Sequence, residues 1–362
     1  DLVRSRGLGD VYKRQLFYND RDLKGKNRKH SLPSYTSNDS NYIARQYGFD
    51  VQHEWDFRGG KDYLIAGVLG KRETYRTTSG PVYANPHRHS LALYGSYSYQ
   101  INPTWTTVVG LRYTDIKDPV KNQHVLTPQF QLNHRINKES SVYMNVGKAF
   151  TMPNLSDTFK TVNRQYQSVS GRNLKPEEGW NYELGYKHIT NKDSWKVAVF
   201  YMDFKNFFSW KPDSNGKMTI RVNGGRFRNV GVEAQYGRKL TDRLKVTVGA
   251  AYSNPKQMEI DKNYWKQANP KLQFTGGIHY NSSTWTAGSS INFVTKRMKN
   301  RDGGINPNLV AWNAYVGYQF NENSSVRLDA RNLLNRHNVI SNGDWEYWDE
   351  PFNYQLSYTQ KF

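Results

Sequence analysis

The stretch LALYGSYSYQINPTWTTVVGLRY, residues 91–113, decides the fold. On both sides of its Asn-Pro-Thr turn, every second position carries an apolar, aromatic, glycine or threonine residue, and the positions between them are more polar. The alternating positions are Leu91, Leu93, Gly95, Tyr97 and Tyr99 before the turn, and Trp105, Thr107, Val109, Leu111 and Tyr113 after it. Such alternation is typical of β-strands with one apolar face, and Asn and Pro favour a tight turn. The stretch therefore predicts an antiparallel hairpin whose two faces are differently solvated.

The same unit recurs from residue 42 to the end of the chain. Seven short polar turns join pairs of alternating segments, at 58–61, 102–104, 137–140, 191–193, 241–242, 281–283 and 321–324. The connections between the pairs are mostly longer, at 76–88, 116–123, 150–177, 254–269, 296–307 and 335–350, with a shorter one at 210–218. Fifteen full segments and a partial one at 16–25 give about sixteen strands. Short turns on one side and long loops on the other are the layout of an outer-membrane β-barrel.

The position of the aromatic residues separates this interpretation from a soluble β-sandwich. Aromatic residues of the apolar face bracket three of the short turns, and the pairs are Tyr99 and Trp105, Tyr186 and Trp195, and Tyr280 and Trp285. A soluble core would hold such bulky side chains in the middle of its strands, whereas a bilayer draws Trp and Tyr to its interfaces. The pattern predicts an aromatic girdle.

Composition and charge narrow the class of protein further. The chain has 362 residues, 36% hydrophobic and 14% aromatic, and no Cys. No window approaches the roughly 18 consecutive apolar residues of a membrane-spanning helix. The 51 Lys and Arg against 31 Asp and Glu give a formal net charge of +20. Because these charges are scattered through turns and loops and form no recognition helix, we expect no nucleic-acid partner, and lipopolysaccharide at a membrane surface suits the same charge.

The first fifteen residues differ from the rest of the chain. The segment SRGLGDVYKRQ, residues 5–15, resembles the in-frame translation of a transposon-based sequencing adapter. We therefore expect residues 1–15 to be unstructured and foreign to the natural protein, and residues 16–362 to form the barrel. The alternative is an ordinary basic N-terminal arm.

Four stretches resemble the C-terminal barrel of TonB-dependent receptors. They are NVGKAFTMPNLSDTF at 145–159, GRNLKPEEGWNYELGYKH at 171–188, NVGVEAQ at 229–235 and DARNLLNRHN at 329–338. The resemblance extends over 42–362 and implies the 22-stranded, plugged barrel of that family. The sixteen strands counted here would then form an incomplete antiparallel transmembrane barrel. The first six strands, the plug domain and the energy-coupling box of the family would lie upstream of Leu16.

The end of the chain also resembles the family. Tyr354, Leu356, Tyr358 and Phe362 fall on the apolar face of the last strand, and the final residue is aromatic. This arrangement resembles the C-terminal signal that the barrel-assembly machinery reads. Gln360 departs from the alternation.

The resemblance implies a function as well as a fold. We expect an outer-membrane protein of a Gram-negative-type bacterium that imports a ferric siderophore or a similar scarce metal complex. The inner-membrane TonB complex would supply the energy through the plug domain. Further expected partners are lipopolysaccharide, outer-membrane lipid and the barrel-assembly machinery, and we expect no resident cofactor.

Basic and aromatic residues of the long loops are the candidate ligand contacts. These are Arg76 and Arg88 in one loop, and Arg164, Tyr166 and Arg172 in the longest loop. Guanidinium groups and aromatic faces suit anionic, planar ligands such as ferric catecholates. The alternatives are contact with lipopolysaccharide or simple solvation.

Two loop histidines are weaker candidates for a metal site. His87 and His89 alternate in the sequence PHRH and could share a metal or a haem iron. Residues 154–173 contain no His, although haem receptors of the family often carry one there. The simpler interpretation is a pair of solvent-exposed histidines.

Other functions have less support in the sequence. The chain has no G-x-S-x-G, H-E-x-x-H or phosphate-binding glycine motif, so we expect no enzyme. A passive porin or a ligand-specific channel remains the main alternative to a receptor, and a haem or cobalamin receptor is a lesser one.

Overall fold

The computed structural model describes residues 11–27, 38–77, 86–158, 160–162, 165–167, 174–212, 219–258, 263–268, 272–298, 305–342 and 346–361. Nearly all of these residues lie in antiparallel strands. The helix in this part of the chain is the short 3₁₀ turn Leu155–Thr158. Across the described ranges, we find no helix whose length and apolar character would let it span a bilayer.

The strands follow one another in chain order as a meander. They are β1 (Val11–Asn27), β2 (Asn38–Phe57), β3 (Asp62–Thr77), β4 (His87–Gln100), β5 (Trp105–Lys117), β6 (Gln123–Arg135), β7 (Ser140–Thr151), β8 (Lys160–Val162), β9 (Gln165–Gln167), β10 (Glu177–Ile189), β11 (Asp193–Pro212), β12 (Thr219–Lys239), β13 (Leu244–Ser253), β14 (Lys256–Met258), β15 (Lys266–Gln267), β16 (Leu272–Asn281), β17 (Trp285–Thr295), β18 (Arg297–Met298), β19 (Ile305–Asn306), β20 (Leu309–Gln319), β21 (Ser324–Arg331), β22 (Val339–Asn342), β23 (Glu346–Trp348) and β24 (Asn353–Gln360).

The main sheet confirms the expected architecture. It contains eighteen strands, of which β14 and β15 are short and the other sixteen form the wall. All seven predicted short turns join neighbouring wall strands at one end, and the long connections lie at the other. In the described residues β1 pairs only with β2, and β24 pairs only with β21, so the sheet is an open, incomplete barrel.

The two faces of the sheet differ as the alternation predicts. On β4, Leu91 and Leu93 are 48% and 55% exposed, whereas Ala92 between them is fully buried. We call the face of the exposed apolar side chains the outer face, and the opposite one the inner face. In a membrane, lipid would cover the outer face, which removes the cost of exposing these side chains to water.

Aromatic rings gather on the outer face near the short turns. Trp195 packs on Tyr236 with ring centroids 4.2 Å apart, and Trp285 packs on Tyr318 at 4.7 Å. The predicted girdle is therefore present at this end of the strands. At the end of the sheet, Tyr354, Leu356 and Tyr358 also point outward from β24 and are strongly exposed. Phe362 lies outside the described residues, and the assembly signal stays a prediction.

The start of β1 differs from the expectation. Residues 11–15 belong to this strand and lie opposite residues 50–54 of β2. An edge strand needs only backbone hydrogen bonds to extend a ladder, so even a segment of unrelated sequence can pair there. The expectation of an unstructured segment is corrected for residues 11–15, and the origin of residues 1–15 stays a prediction.

Asparagines organise the connection that follows β21. Asn332 is buried, donates to the carbonyl oxygens of Arg336 and Glu350 at 2.9 and 2.8 Å, and accepts from the Arg336 amide at 3.0 Å. Asn338 exchanges two hydrogen bonds with the backbone of Val310, at 2.9 and 3.1 Å. Asn332 and Asn338 of the DARNLLNRHN stretch therefore supply hydrogen-bond partners to backbone groups, which gives both asparagines a structural role.

A buried carboxylate fixes the first short turn. Asp62 accepts hydrogen bonds from Nε and Nη2 of Arg58, the latter at 2.6 Å, and from the Gln100 amide at 2.8 Å. Arg58 also donates to the Gln100 carbonyl oxygen at 2.7 Å. The pair thus ties the β2–β3 turn to the end of β4.

We expect Asp62→Ala to lower the denaturant midpoint of the folded barrel. The change leaves the Gln100 amide without its acceptor and Arg58 without its carboxylate. Unfolding in guanidinium, followed by tryptophan fluorescence, measures the effect. Asp242→Ala, in the exposed β12–β13 turn, is the matched control and should leave the midpoint unchanged. Equal midpoints for the two variants would show that the Asp62 carboxylate does not stabilise the first short turn.

Candidate functional site on the inner wall

A cavity of about 880 Å³ lies against the inner face of β3, β4 and β5. Register places Lys71, Ser90 and Ile116 side by side across these strands, with Leu69 and Ala92 in the next row. Ser90 and Ala92 are small, so the wall recedes between the larger side chains. The cavity lies toward the end of the strands that carries the long loops.

Residues 152–156, which we call the inner segment, form the other side of the cavity. The chain leaves β7 at Thr151, and Pro153 cannot donate to a strand ladder, which favours the end of the strand here. Pro153 and Leu155 are buried, Leu155 with only 7% exposure. The inner segment therefore folds back over the wall instead of continuing directly into the loop.

Arg88 anchors the inner segment to the wall. Its Nη2 donates to the Pro153 carbonyl oxygen at 2.7 Å, and its Nε donates to Oδ2 of Asp118 at 2.7 Å. Its Nη1 lies 3.7 Å from Oε2 of Glu73. Arg88 is only 4% exposed. The planar guanidinium offers donors in several directions at once, so a single side chain joins β3, the end of β5 and the inner segment.

The placement of two predicted ligand residues is corrected. Strand β3 continues to Thr77 because it pairs with β2 up to that residue, and β4 begins at His87 because it pairs there with Thr74 of β3. Arg76 and Arg88 therefore lie in strands and not in an extracellular loop. Arg76 is exposed near the end of β3. The guanidinium of Arg88 donates to Asp118 and to the Pro153 carbonyl oxygen.

The longest loop is also anchored where it returns to the wall. Asn223 accepts from the Lys175 amide at 2.6 Å and donates to the Lys175 carbonyl oxygen at 2.9 Å. Oε1 of Glu177 accepts from the Phe208 amide at 2.6 Å. These contacts give the Asn-Leu-Lys-Pro-Glu stretch a structural role. Within the loop, Tyr166 lies in β9 opposite Thr161.

The loop residues Arg164 and Arg172 lie outside the described residues. Their predicted contact with a ligand, and that of Tyr166, stays a prediction.

The sequence pattern alone did not single out Lys71, Glu73 or Asp118 as site residues. Lys71 and Glu73 have only parity as a sequence signal, since they fall on the inner face of β3. Asp118 follows the end of β5 at Lys117. Arg112 falls on one of the more polar positions of the stretch 91–113, and its guanidinium carbon lies 5.8 Å from the ring centroid of Tyr94. Its Nε donates to Oγ1 of Thr114 at 3.3 Å.

The cavity carries an excess of positive charge. Lys71, Arg88 and Arg112 face it from the inner wall, and among the described residues that line it the carboxylate is Glu73. Nζ of Lys71 lies 3.2 Å from Oε2 of Glu73, which Arg88 also approaches. Arg88 has its closer partner in Asp118, so Glu73 mainly balances Lys71, and among the residues with described side chains no carboxylate forms an ion pair with Arg112. Such a recess attracts anions.

The two candidate histidines lie elsewhere. His87 and His89 alternate with Arg88 and project from the outer face of β4, with ring centroids 5.3 Å apart. In the part of the chain that the structure describes, no three His, Asp or Glu side chains cluster to hold a metal ion. The histidines do not contribute to the cavity.

The antiparallel wall, its apolar outer face, its aromatic girdle and its short turns at one end define a transmembrane β-barrel of the outer membrane. The chain belongs to the family described as "TonB dependent receptor-like, beta-barrel", which it matches over residues 4–333. The protein is thus an outer-membrane protein of a Gram-negative-type bacterium. The match includes most of the first fifteen residues.

Individual relatives are distant in sequence. The chain is 23% identical to the ferric-pyoverdine M114 receptor PbuA of Pseudomonas sp. (strain M114), over 89% of this chain and 46% of the relative. It is 21% identical to the metal-pseudopaline receptor CntO of Pseudomonas aeruginosa (strain UCBPP-PA14), over 88% of this chain and 49% of the relative. The chain thus spans about half the length of the curated relatives it matches.

A solved structure supports the fold. The copper transporter OprC superposes with a TM-score of 0.80 at 16% identity, covering 97% of this chain and 62% of that chain. At this level of identity, the likeness concerns the fold alone.

Proposed function

We propose that the intact protein is a receptor that imports an anionic metal complex, such as a ferric siderophore, across the outer membrane. The observation that carries this proposal is the cationic cavity on the inner wall, beside the anchored start of the longest loop. Membership of the TonB-dependent receptor family supports it. So do the names of two relatives, which are receptors for ferric pyoverdine and for metal-pseudopaline.

The role that we propose for each residue follows from its position in the barrel. Loop residues Arg164, Tyr166 and Arg172, with Arg76 at the rim, make the first contacts with the ligand. Lys71 and Arg112 then hold the complex against the wall. Lys71 shares the Glu73 carboxylate with Arg88, and Arg112 donates to the uncharged Thr114 hydroxyl, so both side chains keep positive charge for an anionic ligand. Arg88 acts indirectly, by holding the inner segment in place. A plug domain coupled to the TonB complex would release the ligand inward.

We expect Lys71→Ala and Arg112→Ala, each made in the full-length protein, to weaken binding of a ferric catecholate about 10-fold. A contact between a charged donor and an anionic ligand contributes roughly 1.5 kcal/mol or more, which corresponds to this factor. Quenching of tryptophan fluorescence measures the affinity. Arg243→Ala, in an exposed short turn at the opposite end, is the matched control and should bind as the unchanged protein does.

Two outcomes would overturn the proposal. The first is an unchanged affinity for the ferric catecholate in two double variants. One combines Lys71→Ala with Arg112→Ala, and the other combines Arg164→Ala with Arg172→Ala. The second is uptake by the full-length protein that proceeds equally in cells with and without the TonB complex, which would favour a passive channel. Loss of uptake without the TonB complex, together with weakened binding in the variants, supports the receptor.

A further inference from the structure

Three basic residues lie directly opposite one another on the inner face near the short turns. Register places Lys239 of β12 opposite Lys245 of β13, and Lys245 opposite His279 of β16. We call Lys239, Lys245 and His279 the inner basic row. Ile278, next to His279, is exposed on the outer face, so the row faces the lumen. Since β12 ends at Lys239 and β16 ends at Asn281, the row lies at the short-turn end of the wall.

The inner basic row is unfavourable for the sheet by itself. Like charges on directly opposite residues of an antiparallel pair destabilise it. Lys239 and Lys245 are both exposed, and among the residues with described side chains no carboxylate forms an ion pair with either of them. Glu233, on the same face of β12, has its partner in Lys196 at 3.3 Å. The two lysines therefore keep positive charge for an anion that the described part of the wall does not supply.

A recess of about 230 Å³ adjoins the inner basic row. Register continues from His279 to Gly288 of β17 and on to Tyr315 of β20. The ring of Tyr315 lies over Gly288, where a Cβ would come within 2.6 Å of it. The Tyr315 hydroxyl lies 3.5 Å from Nδ1 of His279. The absence of a side chain at Gly288 thus lets the tyrosine lie flat and opens the recess beside it.

The recess combines an aromatic face with an excess of positive charge. Nη2 of Arg327 donates to Oδ1 of Asp329 at 2.7 Å, and its guanidinium carbon lies 3.9 Å from the ring centroid of Tyr315. Among the described residues that line the recess, the carboxylate is Asp329, and the exposed Arg331 faces the recess as a second arginine. A stacked guanidinium and aromatic ring beside further positive charge suit a planar, anionic ligand.

We infer that the inner basic row and the recess together form an exit site, which receives the anionic metal complex after it leaves the cavity beside Arg88. The inference rests on the proposed function. The cavity lies toward the long loops, whereas the exit site lies on the same inner face near the short turns, which are the periplasmic end of an outer-membrane barrel. Positive charge at a second point along the lumen compensates the anion for the contacts that it loses at the first.

The test measures binding and import separately in the full-length receptor. We expect the Lys239→Gln and Lys245→Gln double variant to import radioactive iron from a ferric catecholate about 10-fold more slowly, the factor that one lost charged contact gives. Cells with an active TonB complex and equal amounts of receptor are compared. The affinity for the ferric catecholate should stay unchanged, because the complex first binds near the long loops. Arg331→Gln should also slow import without changing the affinity.

Matched variants separate an exit site from a structural role. Lys239→Arg with Lys245→Arg keeps both charges and should retain the import rate. Lys138→Gln with Lys192→Gln removes two exposed lysines from other short turns and should leave the import rate unchanged. The Lys239→Gln and Lys245→Gln variant should unfold at the same or a higher guanidinium concentration, because the change removes repulsion between the strands.

The possible failures are distinguishable. Normal import by both the unchanged receptor and the Lys239→Gln and Lys245→Gln variant would overturn the exit site and leave the proposed function in place. A fall in affinity equal to the fall in import rate would also overturn it. Faster entry of a bulky antibiotic that an intact outer membrane excludes would show that the lysines hold the plug domain instead. If the unchanged receptor neither binds nor imports the complex, the proposed function fails, and the exit site fails with it.

Discussion

Replacing Arg88 with methionine should free the inner segment from the wall and destabilise the barrel by about 3–5 kcal/mol. The aliphatic chain of methionine fills part of the space but donates no hydrogen bonds. The Asp118 carboxylate, whose side chain is 5% exposed, would then be buried without the guanidinium that faces it. The Pro153 carbonyl oxygen would also lose its donor. Leaving one partner of a buried ion pair alone costs more than the pair itself contributes.

Cysteine labelling can follow the release because the chain has no Cys of its own. Leu155→Cys places a thiol at a position that is 7% exposed, and Ser156→Cys places one at an exposed position of the same segment. We expect Arg88→Met to raise the alkylation rate at position 155 about 10-fold or more, and to leave the rate at position 156 nearly unchanged. An opening equilibrium shifted by about 1.4 kcal/mol already gives this factor.

A second substitution tests whether the buried charge causes the destabilisation. Asp118→Asn in the Arg88→Met background removes the unpaired charge and should recover part of the lost stability. An unchanged alkylation rate at position 155 in Arg88→Met would show that Arg88 does not hold the inner segment. A stability loss equal to that of an exposed arginine variant such as Arg243→Ala would lead to the same conclusion.

Adding a methyl group at Gly179 should destabilise the barrel by about 1–3 kcal/mol. Gly179 of β10 lies opposite Phe204 of β11. A Cβ there would overlap the carbonyl oxygen of Asp203 and lie 2.7 Å from Cα of Phe204. Both are backbone atoms of β11, so the two strands would have to separate next to the anchored return of the longest loop.

Gly95→Ala is the matched control for Gly179→Ala. The nearest atom to a Cβ at Gly95 is the Ile65 carbonyl oxygen, at an ordinary 3.7 Å. This variant should be neutral or slightly stabilising, because alanine loses less conformational freedom than glycine on folding. Guanidinium unfolding followed by fluorescence compares the two. A midpoint for Gly179→Ala as high as that of Gly95→Ala would contradict the predicted strand separation.

Local pattern was enough to predict the strands, their faces and the end at which they turn. The alternation from Leu91 to Tyr113 specifies which side chains share a face, because the side-chain period of a strand is two residues whatever its neighbours are. Turn chemistry and the position of Trp195 and Trp285 specify the short-turn end for the same reason. The family stretches predicted the long loop between 150 and 177, and the structure ends β7 at Thr151 and begins β10 at Glu177.

The sites themselves depend on the tertiary structure. Arg88 meets Asp118 and Pro153 across 30 and 65 residues of sequence, and only the packing of β3 to β7 and the inward fold of residues 152–156 bring them together. Parity places Lys239, Lys245 and His279 on one face, but the register between strands makes them neighbours. The sequence alone determines parity because it is local, whereas register and loop path depend on contacts between segments far apart in the chain.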